Sequence, residues 1–130
     1  MSVLILDNKR ILLKDIKRYE LRSDKLYHRN DKEEQRFLFI WPINKGELWS
    51  EYSFEYLNLK MNNGKYKFFS DKKLYDLMEE MEIYLEVILE EDEHLKKAVK
   101  SYERIRDNFI FVNEDILDIT HRIDNAFGTI

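Results

Sequence analysis

The sequence predicts an α+β fold: a small, strongly bent antiparallel β-sheet or barrel of six to seven short strands over residues 1–69, packed by a long amphipathic helix, with two further C-terminal helices completing residues 70–130. Three observations predict it. The first 69 residues hold 12 of the 18 aromatics and the strand and turn signals, whereas residues 70–130 have no Gly or Pro before Gly128. An Asn63-Gly64 pair stands between two runs of alternating apolar residues, the preferred sequence for a two-residue hairpin turn. From residue 74 onward apolar side chains recur every three or four positions, the period of one helix face.

Length and composition bound the rest. At 130 residues and 44% hydrophobic content, the chain is expected to fold as a single domain with a core of its own, far from the disordered regime. It has no cysteine, which excludes disulfides, a thiol nucleophile and thiolate metal sites, and suits a reducing compartment. The first apolar run is only four residues long before Asp7, and no 18 apolar residues follow one another. Neither a signal-peptide core nor a membrane span is expected, and the expected location is cytoplasmic. Two Ala and one Pro stand against 14 Lys, 13 Ile and 9 Asn, a bias toward A/T-rich codons that points to a low-GC bacterium or a phage.

In chain order, Asp7-Asn8-Lys9-Arg10 can close a hairpin between residues 3–6 and 11–13, and Ser23-Asp24 another between 16–22 and 25–29. Phe37, Phe39 and Trp41 alternate with Leu38 and Ile40 in a run apolar on both faces, as a central covered strand requires, and Pro42 should end it. Asn44-Lys45-Gly46 then turns the chain into a strand over 48–59, bent or bulged where the inward parity changes near Tyr56 and Leu57. The Asn63-Gly64 turn sets Met61 opposite Tyr66 and Leu59 opposite Phe68, with Lys60 and Lys67 on the other face.

Ser70 is the expected N-cap of the long helix, with Asp71 in its first turn. Its seam is Leu74, Leu77, Met81, Tyr84 and Ile88, then Leu95, Ala98, Tyr102 and Ile105. Met78, Leu85 and Val99 widen this stripe beyond a two-stranded coiled-coil seam, so packing on the β layer is favoured, with homodimerisation through the remaining helices open. Residues 108–113 are poor helix formers and should break the helix. A second bend is expected at 90–93, where Glu91 interrupts the seam. The order of short strands followed by an amphipathic helix resembles small barrels closed by a helix, as in pleckstrin-homology-like domains, a likeness of architecture that carries no function.

The halves differ in charge: residues 1–69 carry 14 Lys plus Arg against 10 Asp plus Glu, and residues 70–130 carry 8 against 16. Residues 74–95 hold nine carboxylates and no Lys or Arg, forgoing the i,i+4 ion pairs that stabilise solvated helices. Asp76, Glu79, Glu82, Glu86, Glu90 and Glu93 recur at helical spacing and should line the face opposite the seam. Such a line suits a protein partner with a basic surface; its plain alternative is a solvated face. The function expected is therefore a non-enzymatic protein–protein interaction or regulatory protein, of the phage-encoded or immunity-type inhibitor kind.

A second reading, of another class, is nucleic-acid binding by the aromatic β region with Arg18, Arg22 and Lys25, since bases stack on exposed rings and cations track phosphates. Its plain alternative is that the rings are strand cores. Catalysis has the least support. His28, His94 and His121 are isolated, Gly46, Gly64 and Gly128 stand alone, and no GxSxG occurs, so metal pairs, phosphate loops and nucleophile elbows are missing. No enzyme activity, metal or cofactor is expected.

Overall fold

A computed structural model describes residues 3–7, 9–30, 48–88, 92–107 and 109–128. The expected strand around Phe37–Trp41, its stop at Pro42, the turn at 44–46, and Glu90 and Glu91 lie outside them. The fold is α+β. Strands β1 (Val3–Leu6) and β2 (Lys9–Leu12) form a two-stranded sheet. Strands β3 (Ile16–Arg29), β4 (Trp49–Met61), β5 (Gly64–Phe69) and β6 (Phe109–Phe111) form a second sheet in that order. Helices α1 (Lys72–Val87) and α2 (Glu93–Arg106) lie between β5 and β6 in sequence, and α3 (Ile116–Gly128) follows β6.

Several expectations need correction. Among the described residues there is no closed barrel, and the larger sheet is mixed, because β6 pairs parallel with β5, Phe68 standing opposite Ile110. Parallel neighbours need a long crossover, and the connection through α1 and α2 provides it. Residues 109–111 do break the helix, and their Phe-Ile-Phe sequence then serves as a strand. The hairpin at Ser23-Asp24 does not form, since β3 runs unbroken through both residues. Tight hairpin turns need positive φ, and among described residues only Asp7 and Gly64 have it. The first hairpin is tighter than expected: Leu6 pairs with Lys9, and Asp7 turns the chain with φ 52°.

The β4–β5 hairpin also shifts, by two residues. Leu59 faces Tyr66, Leu57 faces Phe68 and Met61 faces Gly64. The loop is Asn62-Asn63, and Gly64, at φ 148°, takes the conformation only glycine adopts freely. A shift of two keeps every side chain on its face, so the apolar set is unchanged. The parity change at Tyr56-Leu57 has a cause in packing: the strand is buried on both sides there. Phe54 and Tyr56 lie 5.8 and 5.7 Å from the Phe109 ring, while Leu57, Leu59 and Met61 join the aliphatic cluster.

The chain divides into two compact units, and β3 and β4 are long enough to contribute to both. The first comprises Met1–Asp24, Phe54–Lys72 and Asp107–Ile130. Its core is aliphatic: Leu4, Leu6, Ile11, Ile16, Leu57, Leu59, Met61, Phe68 and Val112 with the α3 stripe Ile116, Ile119, Ile123. The start of α3 is capped twice, the Leu117 amide donating to Asp115 Oδ1 at 2.9 Å and the Ile116 amide to Ser70 Oγ at 3.0 Å. Ser70 therefore caps the third helix, not the first as expected, because α1 starts only at Lys72 and Ser70 lies within reach of Ile116. Tyr19 on β3 donates to Asp124 Oδ1 at 2.5 Å and stacks on Phe127.

The second unit comprises Lys25–Ser53 and Lys73–Arg106. Leu74, Leu77 and Met81 of α1 and Leu95, Ala98, Tyr102 and Ile105 of α2 are its buried helical residues. Helix α1 ends at Val87 and α2 begins at Glu93, where Asp92 makes the new start: its Oδ1 accepts the Leu95 amide at 2.8 Å. Buried Ser101 accepts the Tyr27 amide at 3.1 Å and donates to the Ala98 carbonyl at 2.9 Å, so strand and helix are joined by a satisfied hydroxyl.

Candidate functional site

Helix α1 forms because Leu74, Leu77 and Met81 bury one stripe, and its remaining surface is free to be acidic. Asp76, Glu79, Glu80, Glu82 and Glu86 are all exposed. Glu93 is exposed as well but belongs to the first turn of α2, where a carboxylate complements the helix dipole. The expected single line of carboxylates is thus split between two helices by the Asp92 cap, and Glu90 lies outside the described residues. Among those residues, no Lys or Arg forms an ion pair with Glu79, Glu80, Glu82 or Glu86. Their charge is felt inside the unit: burial first and the Glu82 carboxylate next push the Tyr102 phenol above its ordinary value, against the Arg106 guanidinium, with Glu86 adding to the rise.

Two apolar residues complete this surface. Ile83 and Val87 are 64% and 68% exposed. One turn apart, they stand on the carboxylate side, because steps of about 100° per residue place them among Asp76, Glu79, Glu80 and Glu86 and away from Leu77 and Met81. They fall outside the predicted seam, and that departure is the signal that marks them. Beside them, a cleft of about 400 Å³ opens between His28 and Arg29 of β3 and Leu77, Met81 and Tyr84 of α1, with Glu80, Ile83 and Val87 also on its walls. Arg29 donates to the Tyr84 hydroxyl at 3.0 Å and lies over the Tyr84 and Trp49 rings at 5.3 and 5.8 Å, so its charge is held by aromatic faces.

The basic candidates are engaged or separated. Arg22 pairs with Glu20 at 2.5 Å. Lys25 and Lys97 both pair with Glu51, at 3.5 and 3.3 Å, and together they hold the Glu51 carboxyl below its ordinary value, the hydrogen bond from Lys97 contributing most. Arg18 is exposed. Arg18 and Arg22 belong to the first unit and Lys25 to the second. The rings of Tyr27, Trp49, Phe54, Tyr56, Phe68 and Phe69 are buried, which withdraws them from base stacking.

His94 serves packing, whereas His121 is exposed. Tyr27 Oη and His94 Nδ1 share a hydrogen bond of 2.7 Å, and the Trp49 ring lies near-parallel to both rings. Among the described residues, no three His, Asp or Glu side chains converge on a cation position, and no helix is long and apolar enough to cross a membrane. Comparison with known proteins finds no matching family model, no similar curated protein and no similar solved structure.

Proposed function

We propose that this chain is a non-enzymatic protein–protein interaction or regulatory protein that docks the outer face of α1 on a basic site of a partner protein. One observation carries the reading: Ile83 and Val87 stand exposed beside Glu79, Glu80 and Glu86, with which no described Lys or Arg forms an ion pair. Protein interfaces are built this way, with an apolar centre that loses water and a polar rim that steers and orients. A purely solvated face accounts for the carboxylates but not for two large aliphatic side chains on adjacent turns. A small regulator that blocks its partner's basic site is the form that chain length and the missing catalytic motifs favour. Nucleic-acid binding is the lesser reading, because Arg22 and Lys25 are paired with carboxylates and six of the described rings, Tyr27, Trp49, Phe54, Tyr56, Phe68 and Phe69, are buried.

The test is capture of partners on immobilised protein across a salt series, followed by mass spectrometry. Replacing Glu79, Glu82 and Glu86 by Gln should weaken capture by about three- to 160-fold, at roughly 0.2 to 1 kcal/mol for each lost pair, and flatten the salt dependence. Ile83→Ser with Val87→Ser should weaken it without changing the salt slope. Equal capture by all three proteins at every salt concentration would sink the reading.

A further inference from the structure

A basic, apolar counterpart of the α1 face exists on this same chain. In the first unit a cleft of about 270 Å³ has Ile11, Met61, Tyr66 and Phe68 on its walls, with Lys9 and Arg10 beside them. Both cations are exposed, and among the described residues neither is paired with a carboxylate. At the same hairpin end, Lys60 and Lys65 stand directly opposite each other, an arrangement of like charges that destabilises a strand pair and raises the local positive field.

We propose that this chain associates head to tail with a second copy of itself, the Ile83–Val87 face of one copy seating in the Lys9–Arg10 cleft of the other. The proposal rests on the reading of α1 as a docking face and names its partner. Charge complementarity carries it. The first unit has 11 Lys plus Arg against 11 Asp plus Glu and the second 11 against 15, so the second unit holds the whole net charge of -4. The first unit is neutral as a whole, so the attraction is local, between the α1 carboxylates of one copy and Lys9, Arg10, Lys60 and Lys65 of the other, whereas two α1 faces repel. On the acidic side Ile83 and Val87, about 6 Å apart along the helix axis, offer an apolar centre between carboxylates. On the basic side the apolar walls lie beside two cations. Each copy uses one face of each kind and leaves one of each free, so the association is heterologous and continues into a ring or a chain.

Sedimentation of the 16.0 kDa chain over a concentration series should show reversible association at low salt that weakens as the salt rises and the Debye length shrinks below about 10 Å. Glu82→Lys with Glu86→Lys, and separately Lys9→Glu with Arg10→Glu, should each weaken association by about tenfold or more. Mixing the two variants should restore association, because the unaltered α1 face of one meets the unaltered cleft of the other and the two charge-reversed faces are again opposite in sign. That restoration also shows that both variants are folded. A wild-type chain that is monomeric throughout, an association indifferent to the cleft variant, or two variants that stay apart on mixing would each overturn the proposal. A monomeric wild type that still captures a basic partner, and loses it when Glu79, Glu82 and Glu86 become Gln, would overturn self-association while leaving the docking reading standing.

Discussion

The two units are held by different chemistry. The first is packed mainly by Leu and Ile side chains from β1, β2, β4 and α3, and it also holds the ring contacts of Phe54, Tyr56 and Phe69 with Phe109. The second adds to its buried helix stripes a set of oriented polar contacts: the Tyr27 hydroxyl on His94, the Tyr27 amide on the Ser101 hydroxyl, Arg29 over Trp49 and Tyr84, and Lys97 over Tyr27 at 4.4 Å. The first unit presents the Lys9–Arg10 cleft and the second the exposed acidic face of α1.

The sharpest way to break this comparison is to empty the aliphatic core. Ile119 is fully buried in the first unit, so Ile119→Ala should cost about 2 to 5 kcal/mol, read as a lower urea midpoint at unchanged slope. A loss below 1 kcal/mol would mean that the α3 stripe is not the centre of that core.

Next in size are the helix starts, one in each unit. Asp115→Ala removes the acceptor for Leu117 in the first unit, and Asp92→Ala removes the acceptor for Leu95 in the second. Each should cost about 0.5 to 2 kcal/mol. Hydrogen exchange should localise the two losses, with faster exchange at the start of α3 in one variant and of α2 in the other. Identical exchange changes in both variants would erase the distinction between the units.

The smallest expected effect is a difference in pH response. In the first unit, the hydrogen bond to Asp124 chiefly holds the Tyr19 phenol above its ordinary value. Its stabilisation is full below the unfolded phenol value near about 10 and is lost as the pH rises through the folded value. In the second unit, Lys97 and Lys25 hold Glu51 below its ordinary value. That contribution is full above the unfolded carboxyl value near about 4.3 and is lost as the pH falls through the folded value. Thermal melting across pH should show Tyr19→Phe flattening the alkaline limb and Glu51→Gln flattening the acid limb. A swap of limbs would contradict both assignments.

Local chemistry alone determined the α+β class, three helices, the strand starting at Val3 and the break before β6, because turn residues, apolar period and caps act over a few positions. The acidic character of residues 74–95, which include most of α1, was equally legible, since nine carboxylates without a cation need no fold to be noticed. Tertiary structure decided what depends on distant partners. Ser23-Asp24 stays extended because β4 lies alongside β3, and Phe109–Phe111 becomes a strand because β5 has a free edge to receive it. Ser70 caps α3 from 46 residues away. Ile83 and Val87 became candidates only when burial separated the apolar residues that pack from those that do not, a distinction that periodicity suggests and contact with the rest of the unit enforces.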